Sequence, residues 1–145
     1  MAYTQRYFNC LNCKIEITTI AEHKKFCSNK CRGEYEQNTI IQNWKNGIDN
    51  GLKVGGRLKT SIRKYLFKKY DSKCCKCGWG EINPHTKFQI PPLEVNHLDG
   101  NSLNNKEENL ELICPNCHAL TPTYKALNRG KANKERLAYS RMITA

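Results

Sequence analysis

The chain has 145 residues, 39% of them hydrophobic, with 24 lysines and arginines against 13 acids, and nine cysteines. That length holds one ordinary domain or two small ones, and its apolar content is modest for one large core, so something besides core burial is expected to hold the fold. No apolar run approaches bilayer length and the opening MAYTQRYFNC lacks a signal-peptide core, which excludes a helical membrane span and leads us to expect a soluble, cytoplasmic protein. In a reducing compartment, Cys-x-x-Cys pairs are better explained by zinc than by disulfides. The formal net charge of +11 suggests a polyanionic partner such as nucleic acid.

In chain order, the first pair of cysteine hooks is Cys10 with Cys13 and Cys27 with Cys31, 13 residues apart. Two such hooks fit one tetrahedral zinc in a ribbon or treble-clef finger, whose second hook often opens a helix. Ser28 stands where an N-cap belongs, and RGEYEQNTIIQNW continues as the helix, so residues 1–44 read as an N-terminal zinc module. Residues 45–57 contain four glycines and read as a linker. From Thr60 to Tyr70, Ile62, Tyr65 and Leu66 fall at helical spacing among Arg63, Lys64, Lys68 and Lys69, which predicts an amphipathic helix with a basic flank. Residues 37–72 carry eight basic against two acidic residues, whereas 73–124 carry four against six. A slightly acidic segment is thus flanked by basic arms, the second being 125–145 with six against one.

The second set of hooks is Cys74 with Cys77 and Cys114 with Cys117, 36 residues apart, with Cys75 left spare. That interval is too long for a bare ribbon, so an insertion sits inside the zinc site. Residues 81–92 read as a loop with room for one short strand. LEVNHL (93–98) alternates and ends at Asp99-Gly100, which predicts a strand running into a loop. Asn105 followed by Glu108 has the form of a capping box for one helical turn, LELIC (110–114) reads as a second strand, and Pro115 suits the first turn of a helix carrying Cys117 and His118. Trp44 and Trp79 read as packing residues, His23 and His85 as incidental, and Asn101, Asn104 and Asn105 as turn and cap residues.

The run Asn96-His97, then Asn109-Leu110, then Cys114-x-x-Cys117-His118, flanked by Cys74-x-x-Cys77, resembles the HNH endonucleases of the ββα-metal fold, especially their phage and homing types. The resemblance covers residues 60–125. It implies an α+β architecture: a small zinc-stabilised nuclease domain at 58–125, preceded by the four-cysteine zinc-finger module and the linker and followed by a basic tail at 126–145. It implies that His97 is the general base, that Asn109 braces the loop and orients it, and that Asn96 and His118 bind a catalytic Mg²⁺ or Mn²⁺. Both cysteine sets would hold structural zinc, since a closed thiolate site leaves no open position for substrate. The partner implied is double-stranded DNA, with no membrane, cleaved by a nick or a double-strand break in the host-cell cytoplasm. Arg57, Lys59, Arg63, Lys64 and Lys68 before the motif, and Lys125, Arg129 and Lys131 after it, are the expected phosphate contacts.

The chemistry accounts for the residue types. Phosphodiester hydrolysis needs a deprotonated water in line with the leaving oxygen and a cation to take up charge, and a histidine titrates in the range suited to the proton transfer. The family commonly has Asp or His before the base, and here that position is Asn96, a neutral and weaker Mg²⁺ ligand, with Glu94 and Asp99 as nearby carboxylates. By strand alternation Glu94 shares a face with Asn96, although a surface carboxylate is its plainer reading. The alternative to an enzyme is therefore a non-catalytic, two-zinc DNA-binding or regulatory module on the same fold.

Overall fold

The computed structural model describes residues 5–87, 89–128, 134, 137–139 and 141–142. The chain divides into two compact units, Met1–Gln42 and Asn43–Ala145. In the first, strand β1 (Arg6–Asn9) pairs antiparallel with β2 (Glu16–Thr19), with Phe8 opposite Ile17 and Asn9 opposite Glu16. The turn between them carries Cys10 and Cys13 and closes through Lys14 in the left-handed region at φ 63°. Helix α1 (Asn29–Lys45) begins where the sequence predicts, because the Ser28 hydroxyl accepts from the Cys31 backbone N–H at 3.2 Å. Cys31 consequently sits on the first turn. From Asn43 onward the end of this helix groups with the second unit.

The second unit starts earlier than expected. Residues 45–57, read from sequence as a linker, are folded: Leu52 is 8% exposed and bridges Leu58, and the Asp49 and Asn50 side chains accept from the N–H groups of Gly51 and Leu52. The glycines here serve turn geometry rather than looseness. A Cβ on Gly51, whose φ is +76°, would lie 2.7 Å from Ile62 Cδ1. Helix α2 (Thr60–Lys69) buries Ile62 and Leu66 completely, as their spacing predicts, and packs on the strand Leu110–Ile113.

Strand β3 (Glu94–His97) pairs antiparallel with β4 (Leu110–Ile113), Asn96 opposite Glu111 and His97 opposite Leu110. All four residues of β4 are buried. Helix α3 (Pro115–Ala119) follows, with Pro115 in its first turn and Cys114 as N-cap, whose sulfur accepts from the Cys117 N–H. Strand, loop, strand and helix therefore appear in the predicted order. Their core is Leu93, Leu112 and Ile113 with Cys74 and Cys114, against which Phe67, Tyr70 and Val95 pack.

Two local expectations fail. The capping box at Asn105 does not form: the short turn is a 3₁₀ turn over Glu107–Asn109, its N-cap is Lys106, and no side chain caps it. Residues 78–92 hold no strand among those described. A second 3₁₀ turn spans Lys125–Asn128, and no helix among the described residues is long and apolar enough to cross a membrane.

Candidate functional site: two thiolate clusters and a histidine cleft

Cys10, Cys13, Cys27 and Cys31 bring their sulfurs within 4.8 Å of one another, and so do Cys74, Cys77, Cys114 and Cys117. A tetrahedral Zn–S distance of about 2.3 Å sets ligand sulfurs about 3.8 Å apart. Cys13 and Cys27 stand at 3.7 Å, and Cys77 and Cys114 at 3.8 Å. Burial pushes the Cys74 thiol up, but backbone N–H groups at Cys114, Cys77 and Lys76 outweigh it and bring it down to about 6. Its partner Cys117 is driven up to about 12 by the sulfurs of Cys77 and Cys114. Four thiolates this close repel unless a cation sits among them, so both clusters could hold zinc. Cys75 stands apart, with its thiol toward a Glu111 oxygen at 3.8 Å, which leaves Cys74 as the ligand the spacing favoured.

Beside the second cluster, an open cleft of about 380 Å³ is lined by Leu58, Thr60, Arg63, Glu94, His97 and His118, among others. His97 and His118 also line an adjoining hollow of about 220 Å³ together with Asn96. His97 closes β3 and His118 rides on α3, so the cluster that anchors α3 through Cys114 and Cys117 also delivers His118 to the strand. Glu94, read from sequence as a surface carboxylate, hydrogen-bonds Nδ1 of His118, which leaves Nε2 as that ring's remaining donor atom. Asn96 is 5% exposed and donates from Nδ2 to Glu111 Oε1 at 2.7 Å, an oxygen that also takes Lys76 Nζ at 3.3 Å. Its nitrogen thus committed, Asn96 has its amide oxygen left for an ion.

The loop between the strands is held from inside. Asn109 Oδ1 accepts from the Asp99 N–H at 3.1 Å, while its Nδ2 donates to Asp99 Oδ1 at 2.9 Å and to the Asn104 carbonyl at 2.7 Å. Burial raises the Asp99 carboxyl, yet hydrogen bonds from Asn104, the Asn101 N–H and Asn109 hold it below its ordinary range. Asp99 is therefore an internal tie of the loop. The His97 ring is met by a different amide, Asn105 Oδ1, at 2.9 Å from Nε2. Sequence reasoning assigned Asn105 to a turn and a cap, and nothing in a run of asparagines marks which one reaches the ring.

The basic residues fall in several settings. Arg63 lines the cleft and donates to the Leu93 carbonyl at 2.8 Å. Arg57, Lys64 and Lys68 are exposed, Lys59 is paired with Asp49, and Lys125 lies over the Tyr124 ring at 4.9 Å. Arg129 and Lys131 lie outside the described residues.

A two-stranded sheet and a short helix joined to a thiolate cluster present one histidine from the strand end and one from the helix, the arrangement that the resemblance to the HNH endonucleases implies. The sequence comparison points the same way. Over 83 residues, 57% of this chain, it is 60% identical to the H-N-H endonuclease F-TflIV of Escherichia phage T5. The match spans 34% of that relative, so the chain corresponds to about a third of its length. No family model and no solved structure matches the chain.

Proposed function

We propose that this protein is a metal-dependent HNH endonuclease that hydrolyses DNA phosphodiester bonds, with His97 as general base. The observation that carries the reading is the convergence of His97, His118 and Asn96 on one open hollow between a thiolate cluster and an internally tied loop. Asn96 through its amide oxygen and His118 through Nε2 form a donor set suited to Mg²⁺ or Mn²⁺, with both residues oriented by carboxylates behind them. When bound, the ion supplies positive charge for the phosphate and the departing 3′-oxygen. His97 takes the proton of the attacking water, the Asn109–Asp99 tie holds the loop that follows His97, and Arg63 faces the phosphate from the cleft wall. Zinc in the two clusters is structural. The partner is double-stranded DNA, gripped by Arg57, Lys59, Arg63, Lys64, Lys68 and Lys125.

One observation favours the non-catalytic alternative: Asn96 and His118 bring no carboxylate to an ion, and the carboxylates of Glu111 and Glu94 are hydrogen-bonded to them. A plasmid assay separates the two readings. Supercoiled DNA incubated with zinc-loaded protein is expected to become open-circle or linear with Mg²⁺ or Mn²⁺, and His97→Ala is expected to abolish this while DNA binding persists. Binding with no cleavage by the wild type under any of these ions would leave a DNA-binding module.

A further inference from the structure

We infer that Asn105, not the motif residue Asn109, is the positioning residue of the His97 imidazole, fixing the ring in the Nε2–H tautomer so that Nδ1 is the nitrogen that takes the proton. The functional consequence rests on the reading of His97 as base; the tautomer itself does not.

The argument starts from which end of the Asn105 amide faces the ring. Asn105 is 3% exposed, so neither end can turn to water. Its Nδ2 lies 3.4 Å from the Asn50 carbonyl and 3.3 Å from the Leu103 carbonyl. Reversing the amide would set an oxygen against two carbonyl oxygens in a buried place, which leaves all three without a proton between them. Oδ1 must therefore face His97, and an oxygen accepts. The Nε2 atom 2.9 Å away carries the hydrogen, and in the neutral ring the lone pair falls to Nδ1. Asn109 has no part in this, because its three hydrogen bonds to Asp99 and Asn104 use both ends of its amide within the loop.

Asn105 is in turn held by residues that precede the nuclease motif by some 50 positions. The Trp44 indole N–H donates to the Asn105 carbonyl at 2.6 Å. A Cβ on Gly51 would lie 3.2 Å from both Asn105 Cβ and Trp44 Cδ1, so the turn there closes directly on this pair. The stretch 44–51 is thus the outer support of the ring: it holds Asn105, and Asn105 holds His97.

Long-range ¹H–¹⁵N spectra of the full zinc-loaded chain, taken in alkaline solution where an ordinary imidazole is neutral, read the tautomer directly. The four histidines are separated by comparison with His97→Ala. We expect His97 to show a protonated Nε2 and a pyridine-type Nδ1. Asn105→Ala should release it into a mixture of both tautomers, and Trp44→Phe, which keeps the bulk but loses the indole donor, should shift it part of the way. In plasmid cleavage, Asn105→Ala should lower turnover about 10- to 100-fold, the range typical of residues that orient a functional group, with little change in the DNA concentration at half-maximal rate. A wild-type His97 protonated on Nδ1, or an unchanged tautomer in Asn105→Ala, overturns the inference. The expected tautomer shift in a protein that cleaves nothing would leave Asn105 in this role and remove His97 from the role of base.

Discussion

Asn96 precedes the proposed base and donates to Glu111, and the two residues are 5% and 8% exposed. This pairing explains why an amide can stand where a carboxylate would bind an ion more strongly: a second carboxylate there would face Glu111 across a hydrogen-bond distance with Lys76 as the sole cation shown on it. Asn96→Asp is accordingly expected to lose about 2 kcal/mol or more in urea unfolding, and Asn96→Asp with Glu111→Gln to recover most of it. Equal stability of the single variant and wild type would mean that Glu111 is not ionised against position 96. At this scale the sequence made some partners legible and hid others. Both cysteine sets, and the choice of Cys74 over Cys75, follow from spacing along the chain. Glu94 on His118, Glu111 on Asn96 and Asn105 on His97 join residues 24, 15 and 8 positions apart, and such meetings exist only after the strands have paired and the loop has closed.

Among the elements, the helix starts and strand order were readable because each has a local cause: a Ser28 cap, buried positions at helical spacing in α2, alternation in β3 and Pro115 opening α3. The segment 45–57 was not, since glycine marks a tight turn and a loose tether alike. How the elements are tied is also a matter of tertiary geometry. Glu107, on the 3₁₀ turn, receives Lys69 at 2.7 Å and the Tyr65 hydroxyl at 2.6 Å, both from α2, and Lys45 from the end of α1 at 3.4 Å. Burial raises its carboxyl, but Lys69 and Tyr65 bring it down to about 2 from an ordinary 4.5. Because the folded state binds this proton less readily than the unfolded one, the contribution is complete above about pH 4.5 and fades as pH falls through about 2. Glu107→Gln should therefore cost about 1 to 2 kcal/mol in denaturant unfolding, with the same gap at about pH 8 and about pH 5. A gap that closes within that interval would assign the effect to another group.

The whole molecule carries two thiolate clusters in two compact units, and every residue of the proposed catalytic set lies in the second. Cys114 belongs to one cluster and also caps α3, whereas Cys13, of the other cluster, lies on the β1–β2 turn. Native mass spectrometry should find two zinc ions per wild-type chain and one in either Cys13→Ser or Cys114→Ser. Plasmid cleavage should disappear only in Cys114→Ser. Loss of cleavage in Cys13→Ser, with the second unit still folded, would show that the first unit contributes to the reaction. That there are two compact units, each with its own thiolate cluster, was legible in the cysteine count and the modest apolar content. The border between them was not, because α1 runs through it without a break in helical pattern.

The placement of the two tryptophans has an optical consequence. Trp44 is 4% exposed with its indole nitrogen on the Asn105 carbonyl, while Trp79 is 36% exposed and its carbonyl accepts the Cys74 N–H beside the cysteine hook. Their emission is expected to separate by environment, Trp44 to the blue and shielded from an aqueous quencher, Trp79 to the red and open to it. Light from one chain would therefore report two places at once: the buried indole the contact with Asn105, and the exposed one the cysteine hook whose Cys74 N–H its carbonyl accepts.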